Sequence, residues 1–103
     1  MSPPGAPEAP GKEAAVLRRR VEVVNRRGLH PRAAARFVKT AEQFQAEIEV
    51  VKDGLKVSGI SIMGLMMLAA AKGAALEIRA RGREARPALA ALVALVESGF
   101  DED

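Results

Sequence analysis

The Asp53-Gly54 pair limits most strongly what this chain can become. It sits between two runs of alternating polarity, Glu47-Ile48-Glu49-Val50 before it and Leu55-Lys56-Val57-Ser58 after it. Alternation with a period of two puts apolar side chains on one face of a strand, and Asp-Gly suits the tight turns that join antiparallel strands. A β-hairpin follows, and a hairpin alone is too small to be stable, so the rest of the chain must cover and extend it. Arg20-Val21-Glu22-Val23-Val24 reads as another strand, running into a loop at Asn25-Arg26-Arg27-Gly28. Leu76, Ile78 and Ala80 alternate with Glu77, Arg79 and Arg81 as a fourth, closed by Gly82.

Between the strands the period changes. From Pro31 onward Ala34, Phe37, Val38, Ala41 and Phe44 follow helical spacing, while Arg36, Lys39 and Glu42 fall on the other side. A second helix is expected from Ser61 through Leu68 to Lys72-Gly73, with Gly73 as its left-handed C-terminal cap. A third carries Leu89, Leu92, Val93 and Val96 on one face, and Pro87 is tolerable only in its first turn. The order is β-α-β-β-α-β-α. Without strict βαβ alternation, this predicts an α+β fold: a four-stranded, mainly antiparallel sheet with three helices on one face.

With 103 residues the chain is one domain at most. Four of its six prolines fall in the first fifteen residues, which have no large apolar residue beyond Met1. Such a segment cannot bury enough surface to offset the entropy of ordering it. The expected division is a disordered Pro-rich tail over 1–16, a folded domain over 17–100 and a frayed acidic end at Asp101, Glu102 and Asp103. The formal charge of +3 hides a stronger asymmetry, because residues 17–100 hold 15 basic and 8 acidic groups, a net +7. Such an excess suits acidic partners and phosphate. There is no cysteine and only one histidine, so disulfides, thiolate metal sites and a cysteine nucleophile are excluded, and a His-based zinc centre is disfavoured. No apolar run approaches the ~20 residues of a membrane span, and the N-terminus lacks a signal-peptide layout. A soluble, cytoplasmic, monomeric chain is expected.

The chemistry concentrates in Gly28-Leu29-His30-Pro31-Arg32-Ala33. Proline favours the first helical position, which makes His30 the N-cap, beside free N–H groups and the positive end of the helix dipole. Arg32 adds a guanidinium to the backbone N–H groups of Arg32 and Ala33, a set of donors suited to phosphate. Arg27, Arg32 and the helix terminus all disfavour the imidazolium, so the neutral, nucleophilic ring gains.

At these residues the sequence resembles the histidine-containing phosphocarrier family HPr of the phosphoenolpyruvate-dependent phosphotransferase system. The likeness spans about residues 18–98 and rests on Asn25-Arg26-Arg27-Gly28-Leu29-His30 with Arg32, on Ser58-Gly59-Ile60-Ser61-Ile62-Met63-Gly64-Leu65-Met66, and on Ala71-Lys72-Gly73. The resemblance implies an open-faced β-sandwich in which His30 takes a phosphoryl group on Nδ1 from enzyme I and passes it to an enzyme IIA-type or IIB component. It makes Arg32 the charge-balancing partner; Arg27 and the Ala33 N–H are expected at the phosphate from the residues themselves. Such transfer asks for positioning and electrostatics, so no cofactor or metal is expected. Ser61 reads locally as a helix N-cap; the resemblance adds phosphorylation there by an HPr kinase/phosphorylase, and makes Ile62, Met63 and Met66 an exposed partner surface. Two positions depart from the family's commonest pattern. Pro31 separates His30 from Arg32 and cannot donate an N–H, and Arg27 stands where a small polar residue is frequent.

Two other readings compete: a regulatory, non-transporting carrier of the same fold, and a small basic nucleic-acid module built on Arg18 to Arg20, Arg79, Arg81, Arg83 and Arg86. Against the second, the chain has no Trp or Tyr and only Phe37, Phe44 and Phe100, which leaves no platform for stacking bases.

Overall fold

The computed structural model describes residues 15–102. The Pro-rich stretch 1–14 and Asp103 lie outside the described residues, and with them most of the expected tail. The elements are β1 (Leu17–Glu22), α1 (Pro31–Ala41), β2 (Glu47–Lys52), β3 (Leu55–Ser58), α2 (Ile62–Met67), β4 (Ala75–Arg81) and α3 (Ala85–Glu97). The sheet is antiparallel throughout, in the order β1-β4-β2-β3. This is the expected β-α-β-β-α-β-α fold.

The hairpin forms for the local reason its sequence gives. Asp53 (φ 50°) and Gly54 (φ 83°) both have positive φ, the requirement of the type I′ turn whose twist matches that of the flanking strands. Pairing sets the remaining boundaries. Seven-residue β4 is the template on which β1 lies, with Leu17 opposite Ala80 and Glu22 opposite Ala75. Strand β1 therefore begins three residues before the β-branched run at Arg20 and ends before Val23, although Val23 stays fully buried and exchanges hydrogen bonds with Ala74 and Gly73.

Val21, Ile48, Val50, Leu76, Ile78 and Ala80 supply the inward face of the sheet and are buried. Helix α3 lies along β1 and β4, α2 beside β3, and α1 bridges the two other helices. Leu89, Leu92, Val93 and Val96 of α3 are buried as their spacing predicts, and Pro87 falls in its first turn. The opposite face of the sheet carries charge. Arg81 Nε donates to Glu47 across the β4–β2 pairing (2.8 Å), and Arg79 donates to Glu77.

Helix α2 is shorter than expected. It ends at Met67 with Leu68 as its C-cap, and Ala69 (φ 51°) turns the chain out of the helix well before Gly73. Helix propensity at Ala69, Ala70 and Ala71 would favour continuation. Tertiary contacts override it: the Ala70 carbonyl accepts from Leu29 N–H (2.8 Å), and Gly73 N–H donates to the Val23 carbonyl (2.7 Å). Gly73 does take positive φ (92°), though as part of this loop rather than as a helix cap.

Candidate functional site

The site is assembled where the β1–α1 loop, the start of α1, the exit of α2 and the end of α3 meet. Gly28 makes the meeting possible. Its φ is +67°, and a Cβ there would lie 2.5 Å from the Ala70 carbonyl oxygen. Only glycine admits both the left-handed turn and that close approach. The chain then presents His30 as the N-cap of α1 with extended geometry (φ −77°, ψ 174°) and Pro31 as the first helical residue.

The first intrahelical bond runs from Ala34 N–H to the His30 carbonyl (2.8 Å), so the N–H groups of Arg32 and Ala33 take no intrahelical partner. Ala33 is itself fully buried, its methyl in the core, and what it can offer an anion is its backbone N–H. Arg32 and Arg27 are exposed, whereas Arg36 is half-buried and donates through Nη1 to the Phe100 carbonyl. Together with Arg26 they border an open hollow of about 440 Å³, whose remaining wall is Asp101 and Glu102. Four arginines thus line one hollow, which reaches the one histidine through Glu102.

The acidic end is where the structure departs most from expectation. Glu102, assigned to a frayed and solvated end, is partly buried and lies against His30, its Oε2 in contact with the ring Nε2. Its other oxygen accepts from Asn25 Nδ2 (3.0 Å), and the same amide nitrogen donates to the Gly28 carbonyl (2.8 Å). Two acceptors on Nδ2 fix the orientation of this buried Asn, and its Oδ1 is left without a hydrogen-bond partner. The Glu102 carboxyl is held below its ordinary value of 4.5, first by the hydrogen bond with His30 and further by Asn25 and the charges of His30 and Arg27, against an upward push from burial. Only 10% of the His30 side chain is exposed.

The turn after α3 delivers Glu102 there. Phe100 is fully buried, and its N–H donates to the Leu95 carbonyl (2.8 Å) while Gly99, Phe100 and Asp101 all take positive φ. A left-handed phenylalanine is rare and costs about 1–2 kcal/mol, which full burial of its ring, worth about 1.5–3 kcal/mol, offsets. Asn25 and Glu102 are the residues that sequence reasoning missed. Asn25 was legible as a turn residue only, and nothing in the sequence ties it to a position 77 residues away.

Ser61 is the N-cap of α2, its Oγ accepting from Gly64 N–H (2.9 Å), which fulfils the local expectation. Leu65 and Leu68 point into the core, while Ile62, Met63 and Met66 are exposed, as are Ile60 and Met67. Because Ala70, just past α2, accepts from Leu29, this apolar surface adjoins the histidine loop. The arginines that suggested nucleic acid on the sheet are interleaved with Glu47 and Glu77, and Phe37 and Phe100 are buried with Phe44 packed against the core, so no phenylalanine offers a stacking surface. Among the described residues no helix is long and apolar enough to cross a membrane.

Residues 17–98 match the family model described as the PTS HPr component phosphorylation site. Phosphocarrier protein HPr of Neisseria meningitidis is 45% identical over 87 residues, covering 84% of this chain and 98% of the relative. Phosphocarrier protein NPr of Shewanella violacea is 41% identical over 86 residues, covering 84% and 94%. Among solved structures, HPr-C-His from Thermoanaerobacter tengcongensis superposes with a TM-score of 0.81 at 42% identity, over 84% of this chain and 98% of that one. Likeness along nearly the whole of these relatives, in sequence and in fold, places the chain in the HPr family, and it is a phosphocarrier of the phosphotransferase system.

Proposed function

We propose that His30 is the residue that carries the phosphoryl group, taking it on Nδ1 from a phosphohistidine of enzyme I and giving it to an enzyme IIA-type component. The observation that supports this most is the place of His30: the N-cap of an eleven-residue helix, beside a hollow bordered by Arg26, Arg27, Arg32 and Arg36. Phosphoryl transfer needs an aligned nucleophile and fixed positive charge around the equatorial oxygens. Arg32, two residues from the histidine, supplies a planar guanidinium, and the N–H groups of Arg32 and Ala33 supply neutral donors along the helix dipole. Pro31 contributes no donor, and its fixed φ starts the helix so that those N–H groups converge. The exposed Ile62, Met63 and Met66 adjoin the histidine loop and fit a docking surface that serves several partners, since methionine side chains adapt their shape at low cost. The net +7 of residues 17–100 favours acidic partners, with encounter rates that fall as salt rises.

Incubation with phosphoenolpyruvate and enzyme I tests the assignment. The expected product is an acid-labile phosphate adduct that is absent from the His30→Ala variant, and an adduct that survives the substitution refutes it. Supplying the labelled carrier to a panel of IIA-type acceptors separates a sugar-transport carrier from a regulatory one.

The proposal extends to control at Ser61. Its hydroxyl is partly exposed at the start of α2, next to Ile62 and Met63. A phosphate there would gain from the local N–H groups while placing about two negative charges on the apolar surface. That arrangement supports serine phosphorylation by an HPr kinase/phosphorylase as a brake on docking. Treatment with such a kinase and ATP should label the chain but not Ser61→Ala.

A further inference from the structure

The contact between Glu102 and His30 has a direct consequence for the chemistry of the ring. An ionised carboxylate can only accept hydrogen bonds. Glu102 Oε2 meets Nε2, so in a neutral ring the proton belongs on Nε2, and Nδ1 keeps its lone pair. Neither partner is loose. Asn25 Nδ2 holds the second carboxylate oxygen at 3.0 Å and is itself buried and tied to the Gly28 carbonyl, while the buried Phe100 ring and the bond from Arg36 to its carbonyl anchor the backbone two residues earlier. This is a chain of support from the core to the imidazole, with the charge placed behind the reacting nitrogen.

We propose that Glu102 is a positioning residue for phosphoryl transfer, holding the His30 ring in the Nε2–H tautomer and balancing the positive charge that the ring gains when Nδ1 bonds to phosphorus. The inference rests on the reading of His30 as the phosphoryl acceptor and adds to it the state in which the ring is presented. In the step itself the Nδ1 lone pair forms the new P–N bond. The donor's P–N bond breaks, and its electron pair returns to the donor nitrogen. No proton leaves Nε2. The ring becomes a phosphorylated imidazolium facing a carboxylate, and onward transfer to an acceptor histidine runs the same exchange in reverse. Arg26, Arg27, Arg32 and Arg36 border the hollow together with Asp101 and Glu102 itself. The arginines face the incoming phosphoryl oxygens, whereas Glu102 serves the ring.

The test uses the full chain and the variants Glu102→Gln and Glu102→Ala, read out in two ways. Long-range proton–nitrogen NMR at about pH 8, above the ordinary imidazole range, reports which ring nitrogen carries the proton. The wild type and Glu102→Gln, which keeps an acceptor, should show the Nε2–H form; Glu102→Ala should show a mixture. Phosphorylation by phosphoenolpyruvate and enzyme I should then slow about tenfold in maximal rate for Glu102→Ala, the size that a hydrogen bond to a charged group supports, with KM for the carrier within about twofold. Glu102→Gln, keeping the tautomer and losing the charge, should fall between. Unchanged ring nitrogen shifts in Glu102→Ala overturn the proposal. Equal or faster phosphorylation of that variant also overturns it, since the carboxylate is then no more than a cover over the ring. A wild-type chain that takes no phosphate at His30 instead overturns the underlying reading of the acceptor.

Discussion

Replacing Gly28 with alanine should damage this domain far more than the same change at another left-handed glycine. The added Cβ would stand 2.5 Å from the Ala70 carbonyl oxygen and 3.0 Å from the Ala71 Cα. Both are backbone atoms, so no side chain can swing aside. The left-handed φ of +67° costs an L-residue about 1–2 kcal/mol, partly offset by about 0.4–1 kcal/mol from a less flexible unfolded chain. Relief of the collision must also lengthen the 2.8 Å bond from Leu29 N–H to the Ala70 carbonyl, between two buried residues. Leaving such groups unpaired costs about 1–3 kcal/mol. The sum is about 1–5 kcal/mol, and for a domain this small a loss near 3 kcal/mol lowers Tm by about 15 °C. Gly54 is the control. Its φ is +83°, yet nothing lies within 4 Å of a Cβ there, so Gly54→Ala should lose only the conformational part, about 1 kcal/mol or about 5 °C. Thermal unfolding of the two variants, followed by circular dichroism, measures the difference directly. Because His30 is two residues from the collision, Gly28→Ala should also be phosphorylated more slowly than Gly54→Ala. Equal melting temperatures would refute the claim that close approach of the α2 exit, rather than φ alone, requires glycine at position 28.

Three further outcomes are expected. Ser61→Ala removes the Oγ that accepts from Gly64 N–H and should cost about 1 kcal/mol in denaturant unfolding; an unchanged midpoint would show that the cap adds nothing. Arg27→Ser takes one guanidinium from the hollow, so the phosphohistidine should hydrolyse faster than in the wild type, measured as decay of acid-labile phosphate; equal lifetimes would sink the idea. The Glu102 carboxyl is held below its ordinary 4.5, chiefly by the hydrogen bond with His30, so the contribution of this contact to folding is complete above that value and is lost as pH falls through the lower folded one. Carbon NMR of the side chain should give a midpoint below 4.5, whereas one at or above it would contradict the contact.

What the sequence by itself determined are the features whose causes lie within a few residues. The β2–β3 hairpin follows from Asp53-Gly54 and the alternation around it. Pro31 and the spacing of Ala34, Phe37, Val38 and Ala41 determine α1, and with it the place of His30 at a helix start. Gly64 N–H needs an acceptor at the start of α2, and Ser61 is in position to provide one. In α2, apolar on nearly every side, the pattern alone does not separate buried Leu65 from exposed Met63; the family resemblance supplied that distinction. Tertiary structure decided the rest, because there the competing energies come from distant partners. Ala69 to Ala71 have every local reason to stay helical, yet Leu29 N–H takes the Ala70 carbonyl and Val23 takes the N–H of Gly73. Strand β1 owes its length to β4 rather than to its own arginines. The acidic end shows the divide most clearly. As sequence, Asp101, Glu102 and Asp103 are charged residues at a terminus, which solvent should claim. In the fold, burial of Phe100 turns the chain back, and an Asn25 fixed from beneath sets Glu102 on the histidine ring. A carboxylate with no local partner takes its role from the positive charge and the donors that folding brings to it.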